Sequence, residues 1–153
     1  MRDLHSNIKV VQLINPIVGN NTAEGTPAAG LDTRGFDSAE LVALLGASGD
    51  TLSGSVYVEV IIEDSDDDAT YAAVTDSSYV LVGSDGVAAA PNGSGVVATV
   101  DAAAEDERKI RVGYVGPKRY CQLKLAFTGT HTAGMPIASL GILGHAHAAP
   151  TAS

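Results

Sequence analysis

Two stretches of this chain alternate apolar and polar residues with a period of two, and that alternation restricts the fold more than any other feature. In residues 55–64, Val56, Val58, Val60 and Ile62 share one face, while Tyr57, Glu59 and Glu63 share the other. In residues 119–127, Cys121, Leu123, Leu125 and Phe127 are set against Tyr120, Gln122 and Lys124. Successive side chains of a strand point to opposite sides of a sheet, so this pattern marks strands with one buried face. Such strands need a second layer to cover them. Short apolar segments at 9–14, 78–82, 96–100, 110–115 and 137–143 also read as strands, with 70–74 as a return strand after a polar turn at 64–68. The first of these is expected to stop at Asn15-Pro16. Residues 19–34 form a long connection with room for one short strand.

Residues 39–45 support two readings. They could form two turns of helix, capped by Asp37 or Ser38 and ended at Gly46, or a buried strand, because Leu, Val and Ala run together without clear periodicity. Context favours the strand. The 17 Gly and the many Ser, Thr, Asn and Asp supply turns between the segments. The expected fold is all-β: an antiparallel β-sandwich or jelly-roll-like barrel of about eight short strands with extended termini. One domain over residues 1–153 is expected, with an N-terminal arm at 1–8 and a C-terminal tail at 145–153.

Charge and cysteine content narrow the function classes. A net charge of −9 opposes binding of the whole surface to nucleic acid or to an anionic membrane. No apolar run approaches the roughly 18 residues of a membrane span, and the charged opening of the chain does not read as a secretory signal. The single Cys121 excludes an intrachain disulfide and a multi-cysteine zinc site. On the apolar face of its strand it is expected to be a small buried hydrophobe.

Six of the nine basic residues crowd into one segment: Arg108, Lys109, Arg111, Lys118, Arg119 and Lys124. They read as a basic patch that docks on acidic protein surface, or as charges that neutralise the acidic loops at 63–68 and 101–107 within the molecule. With Arg2 and His5 of the N-terminal arm they are the candidate partner-binding residues. Asp64, Asp66 and Asp68 match the alternation that opens a calcium loop. The continuation fails, because Ala69 stands where Gly is needed and Thr75 where a bidentate Glu should be. His145 and His147 have a spacing that can chelate zinc, but no Cys, Asp or Glu nearby completes the set. Hydrolase elbow, zinc-protease helix and phosphate-loop motifs are lacking, so no catalytic, metal or cofactor-binding residue is assigned and the chain is not read as an enzyme.

Several segments taken together resemble a family. They are Met-Arg-Asp-Leu-His-Ser-Asn-Ile at 1–8, Glu-Asp-Ser-Asp-Asp at 63–67 before Thr70 and Tyr71, Arg-Val-Gly-Tyr-Val-Gly-Pro-Lys-Arg-Tyr at 111–120, and Leu-Gly-His-Ala-His-Ala-Ala-Pro at 143–150. In this order they resemble small structural proteins encoded in the head-gene region of tailed phages and prophages. The segment at 113–120 is the most specific, and the loops at 86–104 are where this chain is expected to depart from such proteins. The resemblance implies a virion component made in the host cytoplasm, and most often a capsid decoration (cement) protein. Proteins of that kind sit on the outer shell, frequently as homotrimers, and clamp the major capsid protein at capsomer junctions. It also favours a strand at 39–45. Under this reading the basic stretch and the N-terminal arm face the shell, while the acidic loops face solvent. The alternatives are a virion-displayed host-adhesion or carbohydrate-binding sandwich, whose platform would have to use Tyr57, Tyr71, Tyr79, Tyr114 or Tyr120, and a tail or head–tail connector subunit.

Overall fold

The two alternating segments pair with each other at the centre of one sheet. In the computed structural model, which describes residues 3–83 and 87–148, ten strands and two short 3-10 turns follow in order. The strands are β1 (Ile8–Gly19), β2 (Leu31–Asp32), β3 (Phe36–Leu45), β4 (Tyr57–Ser65), β5 (Ala72–Ala73), β6 (Val80–Val82), β7 (Val96–Val100), β8 (Lys109–Tyr114), β9 (Tyr120–Thr128) and β10 (Met135–Ala146). Arg2, residues 84–86 and residues 149–153 of the expected tail lie outside the described residues. Sheet A has the order β1-β10-β3-β8-β6; sheet B has the order β2-β9-β4-β5, with β7 also paired to β4. All pairings are antiparallel. The result is the β-sandwich that the alternation predicts.

Antiparallel pairing of β4 with β9 runs from Tyr57↔Thr128 to Ser65↔Tyr120. Its period of two turns Val58, Val60, Ile62, Cys121, Leu123 and Leu125 inward, and all six are fully buried. Leu41, Ala43, Ile110, Val112, Met135, Ile137 and Leu143 of sheet A close over them. Each fully buried Val, Leu or Ile side chain contributes about 1.5–3 kcal/mol, so this interlayer core is the main stabilising element. Leu31 of β2 reaches across the sandwich to Gly141 of β10, where an added Cβ would come within 2.6 Å of the Leu31 side chain.

Two segments differ in detail from the sequence reading. Asn15-Pro16 does not end the first strand: β1 continues to Gly19, with register shifts between Gln12 and Ile14 and between Ile14 and Ile17. β1 is an edge strand, where a proline's missing N–H costs no ladder bond, and the irregularities absorb its fixed φ. The return strand at 70–74 shortens to Ala72–Ala73, which pairs with Asp64 and Glu63. The strands expected at 110–115 and 119–127 form as β8 and β9, joined by a turn at Gly116-Pro117. β8 belongs to sheet A and β9 to sheet B, so this turn carries the chain from one layer to the other. Residues 39–45 are strand, as context and the resemblance favoured.

Candidate interaction surfaces

Because β8 and β9 lie in different sheets, the basic segment is not one patch in space. Lys109 and Arg111 alternate with the buried Ile110 and Val112 and so project from the outer face of sheet A. Lys124 alternates with Leu123 and Leu125 and projects from the outer face of sheet B. Lys118 and Arg119 lie in the crossover between them. His5 sits exposed on the 3-10 turn His5–Asn7.

Most of these cations meet acidic groups of the same molecule. Arg111 Nε lies 2.9 Å from Glu40, Lys118 Nζ 2.8 Å from Asp64 and Lys124 Nζ 3.2 Å from Glu63. Arg119 grips Asp32 with two hydrogen bonds, at 2.9 and 2.7 Å, and its guanidinium stacks 4.7 Å from the Tyr120 ring centroid. Arg108 donates to the Ala104 carbonyl at 3.2 Å. The acidic run at 63–68 therefore lies against the basic segment. Lys118 and Lys124 neutralise the run at 63–68, whereas Arg111 and Arg119 pair with Glu40 and Asp32, outside both acidic loops.

The crossover is a latch. Tyr114, facing inward from sheet A, donates to Asp64 Oδ2 of sheet B at 2.9 Å and accepts from the Lys118 backbone N–H at 3.2 Å. Asp64 is itself buried, so Tyr114 and Lys118 satisfy a carboxylate that water does not reach freely. Burial, with the Asp64 hydrogen bond second, pushes the Tyr114 phenol well above its usual range, and the Asp64 bond raises Lys118. Gly116 is required beside them, since a Cβ there would come within 2.5 Å of the Tyr114 ring. The Thr33 backbone N–H and hydroxyl both bond the Arg119 carbonyl, fastening the end of β2 to the crossover. Within 113–120, Tyr114, Gly116, Lys118 and Arg119 thus have structural roles.

Asp64, Asp66 and Asp68 do not converge. Asp64 turns inward, while Asp68 accepts from the Gly30 N–H at 2.8 Å and from the Tyr71 hydroxyl. Asp67 accepts from the Thr70 and Ala69 N–H groups and from the Ser65 hydroxyl, which together hold its carboxyl down to about 2. His145 bonds the Ser38 hydroxyl at 2.9 Å, whereas His147 bonds Asp37 at 2.7 Å. Among the described residues, no group of three His, Cys, Asp or Glu side chains is placed to hold a metal ion. The tyrosines are dispersed too: Tyr114 is buried, Tyr71 is tied to Asp68, and Tyr79 is 37% exposed.

The feature that sequence reasoning missed is the outer face of sheet A. Register places Val10, Ile142, Glu40, Gly113 and Leu81 in one row across all five strands. The next row is Gln12, Leu140, Val42 and Arg111; beyond it lie Ala138, Leu44 and Lys109, and then Val18 beside Pro136. Val10 is 58% exposed, Val18 56%, Leu44 43% and Leu81 60%. An apolar depression of about 570 Å³ lies at one end, lined by Pro16, Val18, Leu44, Pro136 and Ala138 among others. Sheet B is different: Glu59, Glu63 and Lys124 lie on its outer face, with Gln122 buried among them and donating to Glu63. The signal was present in the chain, because 39–45 and 137–143 are nearly continuous apolar runs, the pattern of strands covered on both faces. A two-layer sandwich covers only one. No protein-family model, curated protein or solved structure matches the chain.

Proposed function

We propose that this chain is a structural component of a virion, a capsid decoration protein that binds the outer surface of the head shell and stabilises capsomer junctions. The observation that carries this reading is the apolar outer face of sheet A. An exposed face of this kind, spanning several strands, marks a surface made to be covered by protein. A rigid sandwich with such a face and a short exposed arm suits a clamp better than a catalyst. The resemblance of the segments at 1–8, 63–71, 111–120 and 143–150 to head-region proteins supplies the setting.

In this role the partners are the major capsid protein and other copies of the chain. The N-terminal arm offers a shell contact, with Leu4 68% exposed on the turn that leads into β1. Each contact can be weak, because a decorated shell engages many copies at once and linked contacts multiply. Charge reversal at Lys118 and Arg119 is a poor probe of docking, since it would strip the buried Asp64 and the paired Asp32 of their partners. Leu4→Asp is a better probe, because Leu4 is exposed and outside the core. The test is a cryo-EM reconstruction of the particle made when the encoding phage or prophage is induced. Regular copies of the sandwich at capsomer junctions are expected, with occupancy lowered by Leu4→Asp. Density confined to the tail or to a single vertex would overturn the reading in favour of a connector or adhesion protein.

A further inference from the structure

We infer that the outer face of sheet A is the interface of a symmetric homodimer, in which two copies pack this face against each other. The inference rests on the proposal that the face is covered by protein, and it names the occupant. Three observations select a second copy.

The first is charge. With a net charge of −9, two copies repel wherever acidic surfaces meet. Among the described residues, the outer face of sheet A carries one acidic residue, Glu40, beside two basic ones, Lys109 and Arg111. It is the face on which two copies can approach without setting acid against acid. Sheet B carries two acidic residues, Glu59 and Glu63, against one basic one, Lys124, and so is the less favourable face.

The second is self-complementarity. In an isologous contact the same patch serves both partners, so every unlike pair is made twice. Glu40 and Arg111 sit on adjacent strands at 2.9 Å, with side chains 29% and 48% exposed. Across a two-fold axis Glu40 meets Arg111 of the second copy, and Arg111 meets Glu40 of the second copy. Val10, Leu140, Val42, Leu44 and Ile142 around this pair form the apolar centre that a face-to-face sheet packing needs.

The third is area. Two inter-strand gaps of about 4.8 Å run about 27 Å along β10 from Pro136 to Gly144, and the gaps to β8 and β6 are shorter because those strands have six and three residues, so the planar face is roughly 400 Å² per copy. The pair then buries roughly 800 Å² in total, below the size of a tight interface and in the range of a weak, reversible dimer. The edges of sheet A suit this geometry and not edge-to-edge growth, since β1 is irregular and carries Pro16, and β6 is three residues long.

The test is sedimentation velocity on the full chain at concentrations of about 1 to 200 µM, the range in which an interface of this size assembles. The expected result is a concentration-dependent shift from the 15.5 kDa monomer to a dimer. Leu44→Lys and Leu81→Lys each put a charge on an exposed position and should weaken association about tenfold or more while leaving the thermal melt of the monomer in place. Glu40→Arg alone and Arg111→Glu alone should also weaken it, and the double swap should restore it. A monomer at every concentration, a trimer, or an assembly indifferent to Leu44→Lys would overturn the inference. Particle binding is scored separately. A dimer that leaves particles bare removes the decoration reading and keeps the interface, whereas a monomer that decorates them does the reverse.

Discussion

Tyr114→Phe isolates the latch that joins the two sheets. The substitution keeps the buried ring and removes only the hydroxyl that donates to Asp64 Oδ2 at 2.9 Å and accepts from the Lys118 N–H at 3.2 Å. A hydrogen bond to a charged group contributes about 1.5–3 kcal/mol, and more is lost when the remaining partner is buried. Asp64 is 6% exposed, but Lys118 Nζ stays 2.8 Å from its other oxygen, so the carboxylate keeps a counter-charge. The loss should therefore stop short of the roughly 3–5 kcal/mol of an uncompensated buried charge. We expect about 2 kcal/mol, which for a domain of this length lowers Tm by about 4–8 °C. The chain has no Trp, so urea unfolding followed by far-UV circular dichroism is the assay. Arg111→Ala provides the contrast: its pair with Glu40 is partly exposed and should change monomer stability by less than about 1 kcal/mol. A cycle with Asp64→Asn should show a coupling of at least about 1 kcal/mol between Tyr114 and Asp64. Additive effects, or a Tyr114→Phe loss below about 0.5 kcal/mol, would refute the latch.

Acid should destabilise the fold in a defined window. Backbone donors hold Asp67 down to about 2 and Asp50 below the ordinary 3.8, while the Arg119 hydrogen bond does the same for Asp32. Each folded-state pKa lies below its unfolded value, so the associated stability is complete above about pH 4 and is lost as pH falls toward 2; a urea midpoint unchanged down to about pH 2.5 would contradict this. Gly25→Ala places a Cβ 2.1 Å from the Leu125 carbonyl, at the point where the Leu125 N–H bonds Gly25 at 2.7 Å. It should cost about 2–4 kcal/mol and abolish hydrogen-exchange protection of the Leu125 amide; retained protection would show that the 19–34 connection is not clamped to β9. Cys121 is fully buried, and burial pushes its thiol up to about 12. A thiol reagent at about pH 8 should label it only as fast as the protein unfolds, and rapid labelling of native protein would exclude the buried assignment.

The residues with the clearest local pattern were the most legible. Val58, Val60 and Ile62 read as inward-facing from sequence and are fully buried, as are Cys121, Leu123 and Leu125. Proline at 16 misled because a strand's tolerance of proline depends on whether it lies at an edge, and β1 is paired on one side only. The basic segment was legible as a sequence cluster but not as a set of contacts. Its partners Asp32, Glu40, Glu63 and Asp64 lie dozens of positions away. The apolar outer face was half legible: continuous runs at 39–45 and 137–143 indicate cover on both sides, but only the register of β1, β10 and β3 assembles them into one surface.

By itself the sequence determined that this chain is built of short strands around a core of small aliphatic residues, because side-chain alternation and turn residues act over a few positions. Tertiary structure alone decided that β8 and β9 part into different sheets and that the cations of 108–124 are divided between opposite faces. It also decided that sheet A keeps an apolar face outward. The physical reason is that strand partners are chosen by long-range burial and hydrogen bonding. Two segments joined by a turn as short as Val115 to Arg119 carry no local record of which layer each will join.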